Sequence, residues 1–340
     1  MKKIISIALG VVVVAAIIGY TILTSGMLEI SMEELQTKYK LPNSEFMDID
    51  GVQIHYVDEG EGPAVVMLHA SFHSLRSWDS MAESLKKTFR VIRFDFPIAG
   101  LSGFVPGQSY SMDYDLELVN QLTRALGVKE FSIIATSSGG TVGFRYTATH
   151  PDQITRLVLI NSAGMPRTRV TNPNRARGSA IRRWIQSHYK SRAYWEGTLS
   201  NSFTSMVPPE DLVQMVYDMN RRQGLNEAAM MKRRNYRTGE PESMLQGVEA
   251  PTMIAWGMEN PIVMHLEANI FSLWITNAPT LVKKYPNVGH YLYLEIPDTV
   301  ESDVLSFLSG DLDNQLRQTM RLPARLLTAA DGVKKNTSSP

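Results

Sequence analysis

The stretch Phe131 to Thr141, FSIIATSSGGT, holds residue types capable of nucleophilic chemistry. Phe131, Ile133 and Ile134 read as a buried strand, Gly139, Gly140 and Thr141 open a helix, and a tight turn centred on Ser137 joins them. A serine on such a turn is strained, so its hydroxyl stands clear of the sheet. Its neighbours at minus two and plus two must be small, because the strand and helix backbones nearly touch there. Ala135 and Gly139 satisfy that rule for Ser137. Ser138 would place the β-branched Thr136 at the crowded position, so Ser137 is the expected nucleophile. An alcohol is a feeble nucleophile near neutral pH and needs an imidazole within hydrogen-bond reach to take its proton. The chain offers seven histidines for that role.

The elements that must position these groups follow from the hydrophobic pattern. Glu45–Ile49 and Val52–Asp58 alternate around Asp50-Gly51, a two-residue hairpin signal. Ala64–Leu68 is a short continuous apolar run, the pattern of a strand buried on both faces. Strands closing at Arg93-Phe94-Asp95, and covering Arg156–Ile160 and Thr252–Trp256, repeat it. Helix-period segments lie between them, at Trp78–Thr88, Tyr114–Leu126 and after Ser137. Strands alternating with helices predict a mainly parallel sheet wrapped by helices.

With Leu68-His69-Ala70-Ser71, Asp95-Phe96-Pro97-Ile98-Ala99-Gly100-Leu101-Ser102, the Ser137 turn and Val288-Gly289-His290 in this order, the chain resembles the α/β-hydrolase fold family from about residue 44 to 310. The resemblance implies an α/β architecture: an eight-stranded, mostly parallel sheet with flanking helices and a helical cap insertion. It makes His290 the base, by its context and by the order serine, acid, histidine. It makes the backbone N–H groups of Ser71 and Ser138 an oxyanion hole, which stabilises charge developing on a carbonyl oxygen. His69 takes the place of the histidine that orders the oxyanion loop. His73 is a secondary candidate for the pocket. His55, His150, His188 and His265 lie in strand or helix contexts with no expected role. Two glycines of the family pattern are exchanged. Ala70 replaces the one after His69, which matters if that position needs positive φ, and Pro97-Ile98 replaces the Pro-Gly of the Asp95 turn.

The acid departs further. Where the family has Gly-x-x-Asp after the strand ending at Trp256, this chain reads Gly257-Met258-Glu259-Asn260. An asparagine accepts a hydrogen bond but cannot neutralise an imidazolium. It also risks holding the wrong tautomer, an exchange that costs about 10⁴ in rate in trypsin. Three readings stand. Glu259 turns inward as the acid, Asn260 takes the acid's place, or catalysis is lost and binding kept. The alternative acid position offers only Asn161 and Ser162.

Lys2 and Lys3 precede 21 uncharged, mostly apolar residues, Ile4–Thr24, long enough for a helix to cross a ~30 Å hydrocarbon core. Residues 1–26 are therefore expected to be an uncleaved transmembrane anchor, a signal segment cleaved before secretion being the alternative. The flanking charges place the N-terminus in the cytoplasm and the folded part on the far side, periplasmic in a Gram-negative cell. Residues 27–44 read as a polar, partly helical connector. Residues 27–164 and 247–310 then form the two parts of the hydrolase core and 165–246 the cap, with helices at Ala180–Tyr189, Pro209–Arg222 and Leu225–Asn235. Met206, Met215, Met219, Met230, Met231 and Met244, with Trp184 and Trp195, read first as cap core and second as an adaptable apolar pocket. The start of the cap is basic: Arg167, Arg169, Arg175, Arg177, Arg182, Arg183, Lys190 and Arg192 face only Glu196. That is a solvated face or an attraction to anionic lipid heads. After the helix at Asp298–Leu308, residues 311–340 are a tail in which Leu312–Leu322 has amphipathic character.

Formal charge is zero, 34 basic against 34 acidic residues, which gives nucleic-acid binding no support. There is no cysteine, hence no disulfide, thiolate metal site or cysteine nucleophile. No ligand cluster or phosphate loop implies a metal or organic cofactor. The expected protein is a membrane-anchored serine hydrolase of small-molecule carboxylic esters with an apolar acyl or alcohol group. C–C, amide or lactone hydrolysis, perhydrolysis, and ligand binding without catalysis are the rivals.

Overall fold

A computed structural model describes residues 2–165 and 179–318. In chain order the helices are α1 Lys2–Thr24, α2 Met32–Tyr39, α3 Asp79–Leu85, α4 Met112–Ala125, α5 Ser137–Thr149, α6 Ala180–His188, α7 Arg192–Ser200, α8 Glu210–Met219, α9 Leu225–Asn235, α10 Pro241–Gln246, α11 Leu266–Trp274, α12 Leu292–Glu295 and α13 Pro297–Leu308. The strands are β1 Glu45–Ile49, β2 Val52–Glu59, β3 Ala64–Leu68, β4 Arg90–Phe94, β5 Phe131–Thr136, β6 Ile154–Ile160, β7 Thr252–Gly257, β8 Pro279–Tyr285 and β9 Arg317–Gln318.

The strands form one sheet in the order β1-β2-β4-β3-β5-β6-β7-β8-β9. β4, β3, β5, β6, β7 and β8 run parallel, β2 is antiparallel to β4, and β9 closes the far edge antiparallel to β8. The sheet thus has one strand more than expected. The added strand, β9, comes from the tail, just after a single 3₁₀ turn at Asp313–Gln315. Asp50 (φ 51°) and Gly51 (φ 79°) are both left-handed, the pair of conformations a tight hairpin needs between β1 and β2. Every residue of β5 and β7 is buried. Two apolar clusters, one on each face, account for this. Leu68, Ile133, Ala135 and Trp256 belong to one, and Met67, Ile134, Val158 and Ala255 to the other.

Helices α6–α10 lie between β6 and β7. α7 and α10 escaped the sequence reading, since a nine-residue helix containing a glycine and a six-residue helix carry little periodic signal. The segment before the first strand is not a mere connector. Leu35 of α2 is fully buried with Ile30, Leu101 and Met219. Tyr39 donates to Asp218 Oδ2 at 2.8 Å and Lys38 pairs with the same oxygen at 3.2 Å, so the start of the chain is fastened to α8.

Among the described residues no helix is long and apolar enough to cross a membrane. The transmembrane expectation for residues 1–26 is therefore not met there. α1 does present exposed apolar side chains, Ile7, Leu9, Val11 and Ile17 among them. Of the basic cap residues, Arg167, Arg169, Arg175 and Arg177 lie outside the described residues, as does the chain from 319 to 340.

Candidate active site

The turn between β5 and α5 has the strained geometry that its residue sizes imply. Ser137 sits at φ 50°, in the left-handed region that side chains avoid. A Cβ at Gly139 would come within 2.4 Å of the Leu68 carbonyl oxygen, so only glycine fits. On the other side, Ala135 is accommodated because its partner across the turn is also glycine. A Cβ at Gly143 would stand 2.8 Å from that of Ala135. The missing glycine before the serine is thus compensated one helical turn further on.

His290 reaches this turn from the loop after β8. Ser137 Oγ donates to His290 Nε2 at 3.0 Å, and His290 Nδ1 donates to Asn260 Oδ1 at 3.2 Å. Glu259 is not at that position. Its carboxylate accepts from the backbone N–H of Val288 at 3.1 Å, bracing the loop two residues before the histidine. The inward turn of Glu259 is therefore corrected. In the local turn Glu259 N–H donates to the Val288 carbonyl, and Asn260 follows it towards the imidazole.

The orientation of the Asn260 amide answers the tautomer question. Besides His290, Oδ1 accepts from the N–H groups of Ile262 (2.9 Å) and Val263 (3.2 Å). Flipping the amide would aim an NH₂ at two N–H donors and leave both unpaired, at about 1–3 kcal/mol each. The oxygen therefore faces His290, Nδ1 carries the proton, and Nε2 keeps a lone pair for Ser137. Asn260 Nδ2 is buried with no partner among the described residues, the cost of an amide in this position. With no carboxylate beside it, burial pushes the His290 pKa down to about 4. The ring is neutral at physiological pH.

Other polar groups hold the histidine loop. Asn161, at the end of β6 and φ 43°, donates from Nδ2 to the carbonyls of Gly289 (3.1 Å) and His290 (2.7 Å) and accepts from Gly257 N–H (3.0 Å). It is a backbone staple, in the one side-chain class that tolerates left-handed φ well. Glu295 went unnoticed in the sequence. Its buried carboxylate accepts from the N–H groups of Gly289 (2.9 Å), Thr204 (2.8 Å) and Ser205 (2.7 Å), tying the loop to the cap. An acid four residues inside an otherwise apolar run, Tyr291 to Ile296, is the signal that could have exposed it.

Ser71, on the loop after β3, faces Ser138 at the start of α5, their hydroxyls joined at 2.8 Å. Ser138 is the second residue of α5, where amides have no acceptor within the helix. The loop after β3 is set by His69. Its Nδ1–H donates to the Ala70 carbonyl at 2.7 Å and its Nε2 accepts from Phe96 N–H at 3.0 Å, which fixes a neutral ring. Ala70 does not adopt positive φ; Phe72 does, at 54°. Exchanging the glycine at 70 therefore introduces no strain. Ile98 does carry strain, a β-branched residue at φ 71°. His73 is buried among Phe72 and Tyr291 with neither ring nitrogen bonded among the described residues, and burial drives its pKa down to about 3.

Among the described residues a cavity of about 850 Å³ opens beside Ser71 and Ser138. Phe72, Phe96, Ile98, Val142, Met165, Trp195 and Leu225 give it an apolar wall. None of the six cap methionines named above lines it, whereas Trp195 does. His73 does not border it either. No cluster of His, Asp or Glu suited to a metal ion occurs among the described residues.

A serine on a strained strand–helix turn, backed by a buried imidazole at the C-terminal ends of a parallel sheet, defines a class. The chain belongs to the alpha/beta hydrolase fold family, whose model matches residues 63–297. It is similar to cis-3-alkyl-4-alkyloxetan-2-one decarboxylase of Shewanella oneidensis, 24% identical over 282 residues that cover 78% of this chain and 87% of that protein. It is also similar to the monoacylglycerol lipase ABHD6 of Rattus norvegicus, 25% identical, covering 76% and 83%. Among solved structures, a membrane phospholipase A described as a bacterial virulence factor superposes with a TM-score of 0.66 at 22% identity. That superposition covers 91% of this chain and 99% of the other, and it speaks for the fold alone.

Proposed function

We propose that the protein hydrolyses carboxylic esters of small amphiphilic molecules through a Ser137 acyl-enzyme, and that α1 attaches it to a membrane. The carrying observation is the relay Ser137 Oγ–H to His290 Nε2, with Nδ1–H held by an asparagine oxygen. In this reading Ser137 attacks the ester carbonyl as His290 takes its proton. The backbone N–H groups of Ser71 and Ser138 hold the oxyanion, and His290 returns the proton to the departing alcohol. Water, deprotonated in its turn by His290, releases the acid. The apolar wall of the cavity suits an apolar acyl or alcohol group.

Membrane attachment rests on the sequence and on the exposed apolar side chains of α1. Resistance of the full chain to alkaline carbonate extraction tests it, and release into the supernatant defeats it. A second reading, ligand binding without turnover, is favoured by one observation, the absence of a carboxylate at His290. A fluorophosphonate probe separates the two. Covalent labelling at Ser137 is expected for a hydrolase. No labelling, with no hydrolysis of p-nitrophenyl esters, leaves the binding reading.

A further inference from the structure

The cavity beside Ser138 has charges that ester chemistry does not use. Its charged lining consists of Asp115, Lys190, Lys232, Arg233 and Glu240. Asp115 is already engaged, accepting from Lys232 at 3.2 Å and from Tyr236 at 2.7 Å. Glu240 stands near the buried guanidinium of Arg145, whose charge it favours. Lys190 and Arg233 have no ion-pair partner among the described residues. They face the same space, and Lys190 is pushed down in pKa by burial and then by the Arg233 charge. Trp195 lies beneath Lys190, with Nζ 6.0 Å from the ring centroid. It is 6% exposed, and its indole N–H is buried with no acceptor among the described residues. Two cations, Lys190 partly buried and Arg233 exposed, thus border one cavity with no carboxylate paired to them among the described residues. Burial and the neighbouring Arg233 charge both disfavour the Lys190 ammonium in the empty site, and an anionic ligand group relieves that.

We propose that Lys190 and Arg233 form an anion subsite, so that the preferred substrate is an ester carrying a carboxylate or phosphate on an apolar chain. This rests on the ester-hydrolase reading and narrows it from esters in general to anionic amphiphiles. The carboxylate and the phosphate share the chemistry of recognition. They are separated by the ligands tested.

The test compares p-nitrophenyl octanoate with the p-nitrophenyl monoester of octanedioic acid, equal in length and differing by one charge. The full-length protein is used in neutral detergent. A tenfold or greater preference in kcat/KM for the anionic ester is expected, about the worth of one charge-assisted hydrogen bond. Lys190→Gln should lower that preference about tenfold and Arg233→Gln, which is exposed, by less, and raising the salt concentration should lower it too. A phosphomonoester-bearing ester of the same chain length shows which anion is favoured. A preference for either anion supports the subsite, and a preference for neither overturns it while leaving Ser137-dependent hydrolysis standing. If neither ester is turned over, the hydrolase reading fails. Binding of octanoate and octanedioate monomethyl ester against methyl octanoate to the Ser137→Ala protein then still decides the subsite, equal affinity overturning it.

Discussion

Two serine–histidine lines run through this molecule, and the more conventional one is not at the cavity. His55 Nδ1 pairs with Asp95 Oδ2 at 2.7 Å and its Nε2 meets Ser44 Oγ at 2.7 Å. By side-chain type and distance this is a complete Ser-His-Asp set. His290, by contrast, has Ser137 at 3.0 Å and only the amide of Asn260 behind it. Yet His55 and Asp95 are 1% and 0% exposed, and Ser44 is spent accepting from the N–H of Leu41. Asp95 also accepts from the N–H groups of Leu75 and Leu101. Burial pushes the Asp95 pKa up, but His55 and these donors more than reverse it and leave the carboxyl ionised. The set fastens the turn after β4 to β2. At Ser137 the partner is weaker, but the turn is strained and a cavity opens beside the adjacent Ser138. Distances between side chains do not make a catalytic site; access and oxyanion donors do.

Ser137→Ala should have the largest effect, a loss of about 10⁴-fold or more in kcat/KM for p-nitrophenyl esters with thermal stability nearly unchanged. If activity survives in Ser137→Ala and falls in Ser44→Ala, the comparison has been drawn the wrong way round. Asp95→Ala should come next, as a stability effect. Removing the carboxylate strands a buried imidazole and two N–H groups, and chemical denaturation should show a loss of about 3–5 kcal/mol.

Asn260→Asp should raise kcat about ten- to a hundredfold, through a carboxylate stabilising the imidazolium. That is well short of the ~10⁴ seen where an asparagine inverts the tautomer, because here Oδ1 already faces the ring. A gain near 10⁴ would show the amide to be flipped. The pH profile sharpens the same point. A base with its pKa near 4 is neutral and active down to about pH 5, and loses activity as pH falls through 4. For stability the sign is the same. The unfolded ring binds a proton below about pH 6.5 and the folded one does not, so stability falls from there downwards until the folded pKa is passed. Asn260→Asp should move the acid limb of kcat/KM upwards, towards the ordinary histidine range. Ser44→Ala is expected to have the smallest effect, about 1 kcal/mol in denaturation and less than threefold in activity.

The β3, β5 and β7 strands, the hairpin at Asp50-Gly51, the turn at Ser137 and the region of His290 were all legible in the residues. Each is set by local size, alternation or backbone conformation, which a short window of sequence contains. Asn161 is read correctly only in three dimensions. In the chain it is a residue that fails to be an acid, while in the fold it binds the loop carrying His290, 129 residues away. Glu259 and Asn260 show the limit most clearly. Adjacent residues at the end of β7 point to opposite uses, and no composition rule says which one meets the imidazole.

The sequence by itself determined the alternation of strands and helices, the crowded turn at Ser137, and the lack of a carboxylate at residue 260. These depend on side-chain volume and φ preferences acting within a few residues. The tertiary structure alone decided that Asn260 presents its oxygen, that Glu295 and Asn161 hold the histidine loop, and that the Ser44 set is sealed while Lys190 and Arg233 share a cavity. Hydrogen-bond direction, burial and unmatched charge belong to groups far apart in the chain, and they take values only when folding brings those groups together.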